Sequence, residues 1–200
     1  YNEGGNGVIA ISMNRLYEFT YKLENGALYM DFIDPHDIYD KVIVIDAGHG
    51  SRMSGATKNG IQEKDINLDI VLQLKALFDA YDGNIGVYYT RTDDSNPTLQ
   101  QRAELANKAG ADLFISVHNN SSGTGNFTSV NGTQVLYSES DDRELGSKKL
   151  AQICLDNVTA ATGSNDFGLL KADDIYIVRS SEAPVALIEV GFMTNRDELA

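Results

Sequence analysis

The sequence predicts a single α/β domain, a twisted and mostly parallel sheet with helices on both faces and a functional site at the C-terminal edge of the strands. Three observations carry this. From Lys41 onward, β-branched apolar runs such as KVIVIDAGHG, ADLFISVH and PVALIEVGF alternate with stretches of helical period, the pattern of βαβ units whose sheet is covered on both faces. These runs also carry ionisable residues at or near their ends: Asp46 with His49, His118, and Glu189. In open α/β sheets, ligands bind beyond the carboxyl ends of the strands. Finally, a chain of 200 residues suits one substantial domain and is short for two large ones.

Taken in order, residues 1–39 read as an N-terminal β extension or the tail of an upstream domain. After a Gly-rich start, RLYEFTYKL and GALYMDFID are separated by Glu24-Asn25-Gly26, and alternation across Asn-Gly signals a hairpin or an edge extension of the sheet. His36, beside Pro35 in the connector, reads as a solvated loop residue. Residues 40–200 read as the domain that carries the site. Its first helix is expected from Gln62 to Tyr81, with Ile66, Ile70, Leu74 and Leu77 on one face. The strand IGVYYTR follows, and Thr98 then precedes a helix that stops at Gly110. After ADLFISVH comes a Gly/Ser/Asn-rich loop from Asn119 to Gly132, expected on the substrate side and open to solvent. The remainder reads as a strand at Thr133–Tyr137, a helix from Arg143 to about Ala161, a strand around Ile175 to Val178, and the strand carrying Glu189. A final helix is expected to begin at NRDELA.

Composition narrows the function. With 16 Lys+Arg against 29 Asp+Glu, the formal charge is -13, a field that repels phosphate backbones, so nucleic acid is not an expected partner. No apolar run approaches transmembrane length. The lone Cys154 excludes an internal disulfide, and its apolar helical setting reads as core. A chain that starts at Tyr1 with neither initiator Met nor signal peptide reads as a fragment whose targeting segment lay upstream.

The Gly-rich turn in VIVIDAGHGSRMSG lacks the third glycine of the dinucleotide fingerprint, where Met53 stands, and no Gly-Lys-Ser/Thr completes a Walker pattern. An imidazole between two glycines at a strand end instead has room to reach a metal. His49 and His118 both end apolar strands, and Glu63 opens the helix after the first of them. Two imidazoles and one carboxylate leave a fourth tetrahedral position free for water, as in catalytic zinc sites. No HExxH helix is present. Glu189 lies among apolar residues, where an ionised carboxylate is costly without compensation. It reads either as a general base beside the metal or as half of a salt bridge with Arg179.

The runs VIVIDAGHG, NGIQEKDINLDI, YYTRTDD, LQQRAELANKAGADLFISVHNN and PVALIEVGFMTN, in this order, resemble the zinc-dependent N-acetylmuramoyl-L-alanine amidases of bacterial cell walls. The resemblance covers about Lys41 to Ala200. It implies that His49, Glu63 and His118 bind Zn2+ and that Glu189 is the catalytic residue. Arg102 and Asn107 match a structural helix motif, and Asn67 a helix asparagine without an assigned role. The implied reaction is hydrolysis of the amide between N-acetylmuramic acid and L-alanine in peptidoglycan, by an autolysin of the extracellular space or cell envelope. An activator or wall-binding domain is expected elsewhere in the full-length protein. Two alternatives stand beside it: a catalytically silent peptidoglycan-binding module, and a zinc carboxypeptidase acting on the stem peptide through Arg91 or Arg179. The 119–132 loop is too short for the long inhibitory insertion of some relatives.

Overall fold

The computed structural model describes residues 2–3, 6–123 and 125–200, with the backbone alone at 2–3 and 6–7. Tyr1, Gly4 and Gly5 of the predicted extension, and Thr124 of the predicted substrate-side loop, lie outside the described residues. The N-terminal part pairs β1 (Asn2–Glu3) with β2 (Asn6–Gly7), and β3 (Glu18–Glu24) with β4 (Ala27–Ile33) in an antiparallel hairpin turned at Asn25-Gly26. The hairpin is a sheet of its own, so the edge-extension alternative does not hold. It is fastened by its base, where Leu16 N donates to Lys108 O at 2.8 Å and Tyr88 Oη to Glu18 Oε1 at 2.7 Å. Register puts Phe19, Tyr21, Leu23, Leu28 and Phe32 on one face, and all five are exposed. The short helix α1 (Pro35–Ile38), capped by Asp34, follows. His36 is exposed, as the sequence predicts, but it sits in this helix and not in a loop, with its ring Nε2 2.9 Å from Gly110 O.

The main domain comprises β5 (Lys41–Ala47), the small hairpin β6 (Thr57–Lys58) and β7 (Ile61–Gln62), α2 (Glu63–Asp79), β8 (Ile85–Tyr89), α3 (Leu99–Lys108) and β9 (Leu113–Asn120). It continues with β10 (Thr133–Tyr137), α4 (Ser147–Thr162), β11 (Asp166–Lys171), α5 (Tyr176–Arg179) and β12 (Val185–Phe192). Six strands form the central sheet in the order β11-β10-β12-β9-β5-β8, and only the β10/β12 pair is antiparallel. Alternate residues bury opposite faces. Val42, Val44, Phe114, Val185 and Leu187 pack with Ala106 of α3 and Ile177 of α5. On the other face Ile45, Ala47 and Val117 meet Val71 of α2, and Val135, Ala186 and Ile188 meet Leu150 and Leu155 of α4. Cys154 is packed in that second layer, where burial pushes its thiol up to about 11.

Three expectations are corrected. Ile175 to Val178 is β-branched, yet it turns into α5, because the sheet position beside β10 is taken by β11 and Ile177 and Val178 are buried under α3 instead. The predicted α2 face is rotated: Glu63, Lys64, Asn67 and Val71 are the buried positions, whereas Leu77 is 69% exposed. NRDELA forms turns, not a helix. Asn195 Oδ1 accepts from Asp197 N and Glu198 N, and the Glu198 carboxylate accepts from Gly132 N and Phe192 N, ties that consume the side chains in loop contacts.

Candidate metal centre

β5 ends at Ala47, and the chain turns sharply through Gly48 and His49. His49 adopts φ 62°, a left-handed backbone that costs a non-glycine residue about 1 kcal/mol or more. Two buried guanidinium groups hold it there. Arg91, just after β8, donates from Nε to Ala47 O at 2.8 Å and from Nη2 to Gly48 O and Lys64 O at 2.9 and 2.8 Å. Arg102, on α3, donates to Ala47 O at 2.7 Å and to His49 O at 2.6 Å. Arg102 also pairs with Asp46 Oδ1 at 2.5 Å, where Asp46 is wholly buried and receives Ser116 and Thr90 hydroxyls at 2.6 Å each. Burial alone would raise the Asp46 carboxyl, but Arg102 and the two hydroxyls outweigh it and the net shift is downward.

Glu63 opens α2 with its backbone N donating to Ala56 O at 2.9 Å. Its Oε1 lies 3.0 Å from both His49 Nε2 and His118 Nδ1, and its Oε2 accepts from Ala56 N at 2.8 Å. The donor atoms of His49, Glu63 and His118 lie within 4.8 Å of one another, a group placed to hold a metal ion. Asn67, one helical turn beyond Glu63, donates to Gly48 O at 3.2 Å and accepts from Asn119 Nδ2 at 2.9 Å, which ties α2 to the ends of β5 and β9. Burial works to raise the Glu63 carboxyl, yet hydrogen bonds from both imidazoles carry it well below its ordinary value. For His118 the opposing effects are burial, which lowers it, and Glu63, Glu189 and Asp46, which raise it; the net direction is up.

Glu189 stands beside His118, since the two are register partners in adjacent parallel strands. Its Oε2 is buried and has no hydrogen-bond partner among the described residues. Burial raises its carboxyl, reinforced by Glu63 and opposed by His118 and His49. The salt bridge with Arg179 is absent, because Arg179 donates to Asp174 O and stacks over Tyr176. All four predicted site residues thus gather at the C-terminal edge of β5, β9 and β12.

Glycines make room for this cluster. A Cβ on Gly48 would fall 2.2 Å from the His118 ring. One on Gly55, whose φ is 65°, would fall 2.3 Å from Glu63 Oε2. A cavity of about 340 Å³, lined in part by Met53, Pro97, Leu99 and Ile177, opens beside His49 and His118. The loop after β9 is tied elsewhere: Ser122 N and Thr128 N donate to Thr194, and Lys58 Nζ donates to Gly125 O. His49 keeps 29% of its side chain exposed, so the centre is reachable from solvent.

Arg91, Ser116 and Thr90 support the site without a sequence signal for that role, and Asp46, conspicuous at its strand end, supports it through Arg102. Arg91 had been nominated only as a carboxylate anchor, a role closed to it because its N–H groups point at backbone carbonyls. The one signal in this group lay in the placement of a polar residue, Asp46, at an apolar strand end.

Residues 43–200 match the family model described as N-acetylmuramoyl-L-alanine amidase. The chain is 34% identical over 161 residues to N-acetylmuramoyl-L-alanine amidase LytC of Bacillus subtilis; the match covers 80% of this chain and 31% of LytC, so the chain spans about a third of that relative. Its fold is similar to the catalytic domain of CwlV, an N-acetylmuramoyl-L-alanine amidase from Bacillus (Paenibacillus) polymyxa var. colistinus, with TM-score 0.70, 34% identity and coverage of 78% of this chain and 83% of that one. It is also similar to the N-acetylmuramoyl-L-alanine amidase structure from Clostridium difficile 630, with TM-score 0.72, 32% identity and coverage of 80% and 83%. With a matching model over most of its length and these relatives sharing its sheet, the chain belongs to the N-acetylmuramoyl-L-alanine amidase family.

Proposed function

We propose that this chain catalyses zinc-dependent hydrolysis of the amide between the lactyl group of N-acetylmuramic acid and the first L-alanine of the peptidoglycan stem. The observation that carries the reading is a His-Glu-His donor set beside a buried carboxylate with an unpartnered oxygen, on the scaffold of this family. The residues fit the ion. Two imidazoles and a carboxylate are zinc's usual catalytic ligands, and Asn67, Asn119 and Ala56 orient the carboxylate from behind, as outer-shell partners of a metal ligand do. When bound, zinc supplies Lewis acidity toward the scissile carbonyl and acidifies water toward ~7.

The chain's own residues do the rest. His49, Glu63 and His118 hold the ion, and Arg91 and Arg102 fix the strained turn that aims His49. Glu189 Oε2 takes a proton from the attacking water and returns it to the leaving amine, work suited to a carboxylate whose proton affinity burial has raised. The cavity beside His49 and His118 receives the acyl side of the substrate.

The carboxypeptidase alternative is disfavoured because both arginines nominated for a terminal carboxylate are engaged with backbone carbonyls. The silent-module alternative is disfavoured because each of the four site positions keeps its side chain. We further assign the activity to the cell envelope, in company with wall-binding or activating segments elsewhere in the polypeptide. Residues 1–39 are assigned to an N-terminal β extension of the catalytic domain, since their hairpin shares no sheet with it while Leu16 and Tyr39 pack against its core. Digestion of purified peptidoglycan followed by product analysis tests the reaction. The expected products are intact stem peptides with a free L-alanine amine, and shortened stems still attached to glycan would overturn the assignment.

A further inference from the structure

We propose that Lys58 and Arg196, packed on Phe127, form a cationic subsite for the free α-carboxylate of the second stem-peptide residue, the acidic group nearest the scissile amide. The inference rests on the amidase reading and specifies how the leaving peptide is recognised. Lys58 Nζ lies 4.2 Å and Arg196 Cζ 4.0 Å from the centre of the Phe127 ring, so the two charges stand within about 8 Å of each other. Cation–π contact at this half-buried ring satisfies little of a cation's bonding capacity. Lys58 gives one N–H to Gly125 O at 2.5 Å, and Arg196 makes no hydrogen bond or ion pair among the described residues.

That pairing runs against the charge balance of the chain. With acids nearly twice as numerous as bases, surface cations such as Lys22, Lys41, Lys75, Lys108 and Lys171 each sit on a carboxylate. Lys58 and Arg196, like Arg52, Lys148 and Lys149, have no carboxylate partner among the described residues, and these two alone of that group gather on one ring. A groove of about 520 Å³ runs beside Phe127 and is lined by Arg196 together with Asp197, and Lys58 stands over the same ring.

Position connects this patch to the chemistry. Lys58 lies in the β6/β7 hairpin that leads directly into Glu63, Phe127 in the loop that leaves His118, and Arg196 in the turn after the strand of Glu189. The segments that deliver Glu63, His118 and Glu189 therefore each also deliver one member of the patch. The cavity on His49 and His118 is walled by Met53, Pro97, Leu99 and Ile177 and contains none of the three. The substrate has the same asymmetry, with a neutral lactyl-glycan on the acyl side of the amide and an acidic peptide on the amine side. Matching like to like sets its direction across the centre.

The test compares two peptidoglycans that differ only in whether the second stem residue carries a free α-carboxylate or its amide. Lys58→Met and Arg196→Met, singly and together, keep an apolar stem against Phe127 and remove the charge. On the free-carboxylate wall the double variant is expected to lose about tenfold in kcat/KM, chiefly through KM, as for one lost charge-assisted contact. On the amidated wall it is expected to match wild type, with zinc content and melting temperature unchanged. Equal losses on both walls, or no loss on either, overturns the subsite and leaves the amidase reading intact. A wild-type protein that frees no stem peptide from either wall overturns both.

Discussion

Asp46 and Arg102 show how one buried ion pair sets the position of a candidate ligand, His49, through its backbone. The aspartate is wholly buried, and the arginine that neutralises it also holds the carbonyls of Ala47 and His49. Removing one partner from such a pair strands the other charge. Arg102→Met is therefore expected to cost about 3–5 kcal/mol of stability, read as a lowered denaturant midpoint, and an unchanged midpoint would refute the clamp. The sign of its pH dependence follows from the depressed Asp46 carboxyl. A folded value below the unfolded one gives stability that is present above the ordinary carboxylate range and lost as pH falls through the folded value. Asp46→Asn should flatten that acid limb. Sequence made His49, Glu63, His118 and Glu189 visible because histidines and acids at the ends of apolar runs are conspicuous. It left the roles of Arg91 and Asp46 obscure because their partners are backbone atoms or lie 56 positions away.

At the scale of elements, the hydrophobic period located the strands β5, β9 and β12 and the helices α2, α3 and α4, since each buries a continuous face. It failed where neighbours decide: Ile175–Val178 has strand-forming residues but the place beside β10 is taken by β11, and α2 is rotated because its first turns face the candidate metal centre with Glu63 and Asn67 instead of an apolar stripe. The strand-to-loop turn of β5 is the element most sensitive to substitution. A methyl on Gly48 meets the His118 ring at 2.2 Å, closer than side chains approach, so either the ring or the turn must move. Gly48→Ala is expected to weaken zinc affinity by about the 10- to 100-fold seen when a ligand's support is lost, measured by competition with a chelating dye. Wild-type affinity in this variant would show that His118 is not held against the turn.

The molecule as a whole divides into a sheet domain that carries every predicted site residue and an N-terminal hairpin that shares no sheet with it. Its acidity, -13 overall, sets the background against which two cations gathered on Phe127 without a carboxylate acquire meaning. The domain's architecture was legible because alternating apolar runs and helices admit few arrangements. The antiparallel insertion of β10 between β11 and β12 was not, because order within a sheet is fixed by crossovers that leave no local pattern. The most direct measurement on the central claim is the zinc content and turnover of wild type, Glu189→Gln and Glu63→Gln prepared side by side. The account predicts about one zinc per wild-type chain. It predicts nearly unchanged zinc with turnover reduced about 10²- to 10⁴-fold for Glu189→Gln, and lowered zinc with activity partly restored by excess metal for Glu63→Gln. Loss of zinc from Glu189→Gln, or near-normal turnover by it, would contradict the assignment of base and ligands alike.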